Sequence, residues 1–156
     1  MKKIIIVSIA VIAVYAASQA CGCGSCSKAK STTENISNEG IQFFTGSWND
    51  ALKKSVTENK PIFLDVSTSW CGWCKKLKRT TFSDKEAGTY FNTNFINVAI
   101  DAEKGEGISI AQKYVVSSFP TLIVIDKNEK VVLHSAGYLD ADGLIQFGKQ
   151  ALSQPK

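Results

Sequence analysis

The 156-residue sequence is short of histidine, of excess charge and of long apolar runs, and each shortage closes off a class of function. His134 is the only histidine, and the five cysteines fall into two distant groups, Cys21, Cys23 and Cys26 against Cys71 and Cys74. A structural zinc site needs four such ligands brought together, so neither group alone supplies one. The formal net charge is +4, of which Lys2 and Lys3 carry two. That balance argues against nucleic acid or a strongly acidic partner, and the run Lys75-Lys76-Leu77-Lys78-Arg79 reads as the solvated face of a helix. The apolar stretch Ile4 to Ala17 is too short for a membrane span. There is no internal repeat, and nothing calls for a cofactor.

What is present begins with a targeting pattern. Lys2-Lys3, the apolar stretch after them and the small residues Ser18 and Ala20 read as an export signal over 1–20. Cys21 follows at once, and two readings stay open for it: ordinary cleavage, or a lipoprotein signal that makes Cys21 a lipid anchor. Either places the rest of the chain in a bacterial periplasm, free or membrane-anchored and facing it, where disulfides persist. Residues 21–39, small and polar with Cys23 and Cys26 among them, read as a flexible linker. Their pair is a tether whose thiols oxidise to each other, a soft-metal clip or a relay dithiol. Residues 40–156 then form one domain large enough for its own core.

The chemistry concentrates in Trp70-Cys71-Gly72-Trp73-Cys74-Lys75. The apolar run Ile62 to Val66 before it reads as a buried strand, and the segment after Cys71 as a helix to about Thr80. A C-x-x-C at that junction puts Cys71 where unpaired N–H groups and the helix dipole favour an anion, so its thiol should be acidic and reactive. Cys74, one turn on, can close a disulfide with it.

The other expected elements are a short strand at Ile41 to Phe44 and a helix over Trp48 to Glu58, capped by Ser47 and apolar at Trp48, Leu52 and Val56. A helix from Ser83, capped by Ser83 with Glu86 in a capping box, carries Ala87, Tyr90 and Phe91. A strand over Phe95 to Ile100, a helix over Ile108 to Tyr114, a hairpin of Thr121 to Ile125 with Val131 to His134, and a closing helix over Leu139 to Leu152 follow. The order βαβαβαββα, with the Ser83 helix an addition to it, implies an α/β fold: a mixed sheet with helices on both faces.

Two more residues stand out. Asp65 lies inside the apolar strand six residues before Cys71, and a carboxylate buried there should have a raised pKa. Such a group can take the proton of Cys74 when a mixed disulfide is resolved; the plainer alternative is an Asp satisfied by a backbone turn. Pro120 opens a strand after Phe119, and a cis bond there would expose the backbone of Phe119 to an added substrate strand.

Taken together, the Trp70 to Lys75 motif, Asp65, Val98-Ala99-Ile100-Asp101 and Phe119-Pro120-Thr121 resemble the thioredoxin family over roughly Ile41 to Leu152. With its extra helix after the active-site helix, the chain is similar to exported thioredoxin-like proteins akin to the C-terminal domain of the bacterial thiol:disulfide interchange protein. The resemblance implies a thioredoxin fold with Cys71 as nucleophile, Cys74 as resolving thiol, Asp65 as buried proton carrier and Pro120 as the cis-proline, with Trp70 flanking an exposed sulfur. Trp70, Gly72, Trp73, Phe119 and Pro120 would receive the substrate. Two positions and one stretch depart from thioredoxin: Trp73 stands at its Pro, Asn97 at the Lys beside its buried Asp, and Ser67-Thr68-Ser69 is more polar.

The expected function is an exported thiol–disulfide oxidoreductase that reduces or isomerises protein disulfides, works as a monomer and draws electrons from a membrane donor the chain does not encode. A strong oxidase would need extra donors on its thiolate, and Gly72-Trp73 offers no cation. The competing readings are that oxidase and a membrane-tethered module that uses its thiols to bind metal or protein.

Overall fold

The computed structural model describes residues 40–154. The expected signal (1–20), the linker with Cys21, Cys23 and Cys26, and the domain boundary at 39 lie outside those residues.

The elements, in chain order, are α1 (Trp48–Glu58), β1 (Ile62–Ser67), α2 (Gly72–Arg79), α3 (Lys85–Asn94), β2 (Ile96–Asp101), α4 (Gly107–Lys113), β3 (Thr121–Ile125), β4 (Val131–Ala136) and α5 (Ala141–Ser153). The sheet runs β2-β1-β3-β4. β1 pairs parallel with β2 and antiparallel with β3, and β4 closes the hairpin with β3. Every residue of β1 is buried, which is why its sequence is nearly all apolar.

Alternation along β1 divides the core into two layers. Ile62, Leu64 and Val66 join Trp48, Ala51, Ile110 and Ala111 under α1 and α4. Phe63 points the other way, into a cluster with Leu77 of α2, Phe91 of α3 and Leu144 of α5. The mixed sheet with helices on both faces is therefore as expected, and so are the strand and helix identities from α1 onward, within a residue or two at their ends.

Three expectations are corrected. Ile41 to Phe44 forms no strand. Its backbone is held at the β2 edge by single bonds: Phe44 N–H to the Asn97 carbonyl at 2.7 Å, Gln42 N–H to Asn92 Oδ1 at 2.8 Å, and Asn97 Nδ2 to the Gln42 carbonyl at 3.2 Å. One backbone bond and two side-chain amide bonds stand where a ladder would run. Asn97, the residue at thioredoxin's lysine position, is spent on this seam.

The α3 cap is Asp84, whose Oδ1 accepts from Ala87 N–H at 2.8 Å. Ser83 donates instead to the Lys78 carbonyl at 3.0 Å. That moves Glu86 off the capping-box position.

In α1 the buried face is Trp48, Ala51 and Ser55, with Val56 59% exposed. Eight residues turn a helix about 80° past two full turns, which carries Val56 out of the stripe that Trp48 begins. Ser47 caps this helix as expected, accepting from Asp50 N–H at 3.2 Å.

Candidate active site

Cys71 is the N-cap of α2, in extended conformation, and its sulfur accepts from Cys74 N–H at 3.1 Å. It thus occupies the site where a Ser or Asp would normally satisfy the first free N–H groups of a helix. A thiolate placed there is stabilised by that N–H and by the dipole behind it. The two cysteines are joined as a disulfide with Cα atoms 5.3 Å apart. The sulfur is more covered than expected: Cys71 is 4% exposed and Cys74 2%.

Around the disulfide the apolar surface is open. Trp70 is 64% and Trp73 58% exposed. Each ring is held from a distant part of the chain. Trp70 Nε1 donates to the carboxylate of Glu103, at 2.9 and 3.1 Å, and its ring meets Phe119 edge-on at 6.0 Å. Trp73 lies 5.8 Å from the ring of Tyr138, and the Lys76 ammonium sits over both, 5.0 and 4.6 Å from the ring centres. A Cβ built on Gly72 would meet nothing within 4 Å, so the approach over the helix start is clear.

The Phe119–Pro120 peptide bond is cis. Pro120 itself is buried and Phe119 half-buried. Gly137 N–H donates to the Pro120 carbonyl at 2.8 Å. Among the described residues the N–H and C=O of Phe119 take part in no backbone hydrogen bond.

Asp65 lies on the Phe63 face of β1, beneath α2, and is completely enclosed. Neither carboxylate oxygen has a hydrogen-bond partner, which excludes the reading of an Asp satisfied by a turn. Burial pushes its carboxyl from 3.8 up to about 7, against the pull of the Lys78 ammonium. Ser67 opposes the rise by less, and its hydroxyl donates to the Ile100 carbonyl at 3.4 Å.

The cation beside Asp65 was not anticipated from the sequence. Lys78 Nζ stands 4.0 Å from Asp65 Oδ2 and donates to Ser67 Oγ at 3.1 Å. The basic run is a solvated face as read, and Lys78 stays half-exposed on it while its ammonium reaches the buried carboxylate. The available signal was spacing: Lys78 follows Cys74 by four residues and so shares its helix face. Glu103 and Tyr138, which hold the two tryptophans, carried no comparable local signal.

The site therefore brings together Cys71, Cys74, Trp70, Gly72 and Trp73 on the α2 start, with Phe119 against Trp70 and Asp65 beneath α2. Among the described residues no group of three or more His, Cys, Asp or Glu is placed to hold a metal ion, and no helix is long and apolar enough to cross a membrane.

A family model for a thioredoxin-like domain matches residues 48–152. The chain is similar to a solution structure of a Bacteroides thetaiotaomicron protein assigned as a disulphide-isomerase: 38% identity, a TM-score of 0.66, and coverage of 76% of this chain and 98% of that one. It is also similar to the thiol:disulfide interchange protein DsbD of Campylobacter jejuni, 34% identical over 99 residues, and of Yersinia pestis, 29% identical over 92 residues. These matches take in 62% and 57% of this chain but only 17% and 16% of the relatives' length.

Proposed function

This chain belongs to the thioredoxin-like family, and on that footing we propose that it is an exported thiol–disulfide oxidoreductase that reduces or isomerises disulfides of other proteins. The observation that carries the reading is the placement of the Cys71 sulfur as the cap of α2, with Asp65 buried beneath that helix.

In the proposed cycle the Cys71 thiolate attacks a substrate disulfide, a Cys71–substrate bond forms, and one substrate thiolate leaves. The Cys74 thiol passes its proton to the Asp65 carboxylate. Its thiolate attacks Cys71, the Cys71–Cys74 bond re-forms, and the second substrate sulfur departs. A membrane electron donor then reduces the pair again. The substrate lies over Gly72, between the exposed rings of Trp70 and Trp73. Its backbone meets the free N–H and C=O of Phe119, and Pro120 acts from below as packing.

The reducing direction has support from the cations. Lys76 is engaged by Trp73 and Tyr138, and Lys78 by Asp65 and Ser67. Dithiol potentials in such proteins span about 150 mV, roughly 7 kcal/mol, through stabilisation of the reduced form. With these two ammonium groups of α2 committed elsewhere, the potential should fall toward the reducing end.

Insulin-disulfide reduction tests the proposal. Cys71→Ser should abolish turnover, and Cys74→Ser should accumulate a Cys71–substrate mixed disulfide visible by mass spectrometry. Full turnover by the Cys71→Ser variant would refute the assignment, and a potential close to that of the strong oxidants would reverse its direction.

A further inference from the structure

We propose that Lys78 is the positioning residue that sets the proton affinity of Asp65, and thereby the pH range over which the Cys74 proton can be passed to it. The inference rests on the reading of Asp65 as proton carrier.

A base works in this step only while ionised, and it works best when it is half-ionised near the working pH. An enclosed carboxylate without hydrogen bonds is held neutral by desolvation. Asp65 is such a group: it is fully buried and both oxygens are unpartnered. The opposing influence is one ammonium. Lys78 Nζ is 4.0 Å from Oδ2, and its side chain is half-exposed, so the charge stays hydrated on one side while facing the carboxylate on the other. The hydrogen bond to Ser67 Oγ fixes it there, and Ser67 is itself held to the Ile100 carbonyl.

The other surroundings of Asp65 leave Lys78 as its counter-charge. Across the sheet its partners are Ala99 and Leu122. α3 and α5 reach this layer with Ala87, Phe91, Leu144 and Phe147, all uncharged. From β2 comes one further carboxylate, Asp101, which also feels Lys78 but pairs with Lys104 at 3.2 Å and accepts from Glu103 N–H at 3.1 Å. From α2 come Lys78 and, once reduced, Cys74.

The proton step balances within the protein. Cys74 loses H⁺ to the Asp65 carboxylate, the resulting thiolate displaces the substrate sulfur from Cys71, and no external redox partner enters. Lys78 touches none of the reacting sulfurs. It acts only on how readily Asp65 ionises.

The test is a carboxyl-carbon NMR titration of the full reduced chain, with the Asp65 signal identified by its loss in Asp65→Asn, alongside insulin reduction from pH 5 to 9. Lys78→Met keeps the apolar stem and removes the charge. It should raise the Asp65 midpoint by about one pH unit, slow reduction about tenfold on the acid side and leave it unchanged near pH 9. Lys78→Arg should restore the native midpoint. Lys78→Gln repeats the experiment if the Met variant folds poorly. An Asp65 midpoint that stays in place in the charge-removed variants overturns the role of Lys78 and leaves that of Asp65 intact. A midpoint that moves while the rate profile does not follow, or an Asp65→Asn enzyme with the native profile, overturns Asp65 as proton carrier and this inference with it.

Discussion

Phe63 and Asp65 lie two residues apart on the same face of β1, and the two ends of that face are built on opposite terms. Around Phe63 the layer is aromatic and closely packed. Its ring lies 4.6 Å from Phe91 and 6.1 Å from Phe82, and Phe91 stacks on Phe95 at 4.9 Å. Around Asp65 the layer buries a carboxylate with no hydrogen bond, the unpartnered Thr68 hydroxyl and a disulfide at a helix start. Stability comes from the first end, and the second gives part of it up in exchange for reactivity.

That contrast predicts that substitutions at the two ends have opposite signs. Phe91→Ala, which opens a hole among fully buried rings, should lose about 3–5 kcal/mol in urea denaturation. A loss below 1 kcal/mol would mean the aromatic end is not what holds the layer.

Asp65→Asn should stabilise, and only above acid pH. In the unfolded chain the carboxyl ionises near 3.8, whereas in the folded chain it keeps its proton up to about 7. The native state therefore binds the extra proton throughout that window, and each rise in pH within it favours unfolding. The deficit saturates above about pH 7 at on the order of 4 kcal/mol. The oxidised Asn variant should match the native protein near pH 4 and exceed it by up to that amount at pH 8. A pH-independent difference would show that the folded carboxyl is not raised.

The smallest effect lies outside both ends. Val115, 83% exposed just after α4, holds φ at 53°, a left-handed conformation that is costly for a β-branched residue. Val115→Gly should gain about 0.5–1 kcal/mol, the relief being partly offset by the freer unfolded chain. A loss at this site would show that Val115 makes a contact worth more than its backbone strain.

Legibility followed distance along the chain. The two cysteines are three residues apart, one capping the helix and one in its first turn, so the motif and the local apolar pattern were enough to read them. The burial of Asp65 was legible because its flanking residues announce a covered strand. The strand expected at Ile41 to Phe44 failed because the pairing groups of Gln42 are taken by the side chains of Asn92 and Asn97, about 50 residues on. The Ser83 cap failed because two neighbouring residues can both cap, and the carbonyl of Lys78 claimed the serine.

By itself the sequence determined where a strand gives way to a helix, that two cysteines stand at that junction, and that an acid is threaded through the core beside them. These are consequences of backbone periodicity and of helix ends, which act over a few residues. Only the folded chain decided which cation faces that acid, which carboxylate holds Trp70 and which ring meets Trp73. Those pairings join residues 13, 33 and 65 positions apart, as Asp65 with Lys78, Trp70 with Glu103 and Trp73 with Tyr138. Charges and rings at such separations are brought together by the closing of the sheet and the seating of its helices, and no local preference encodes that.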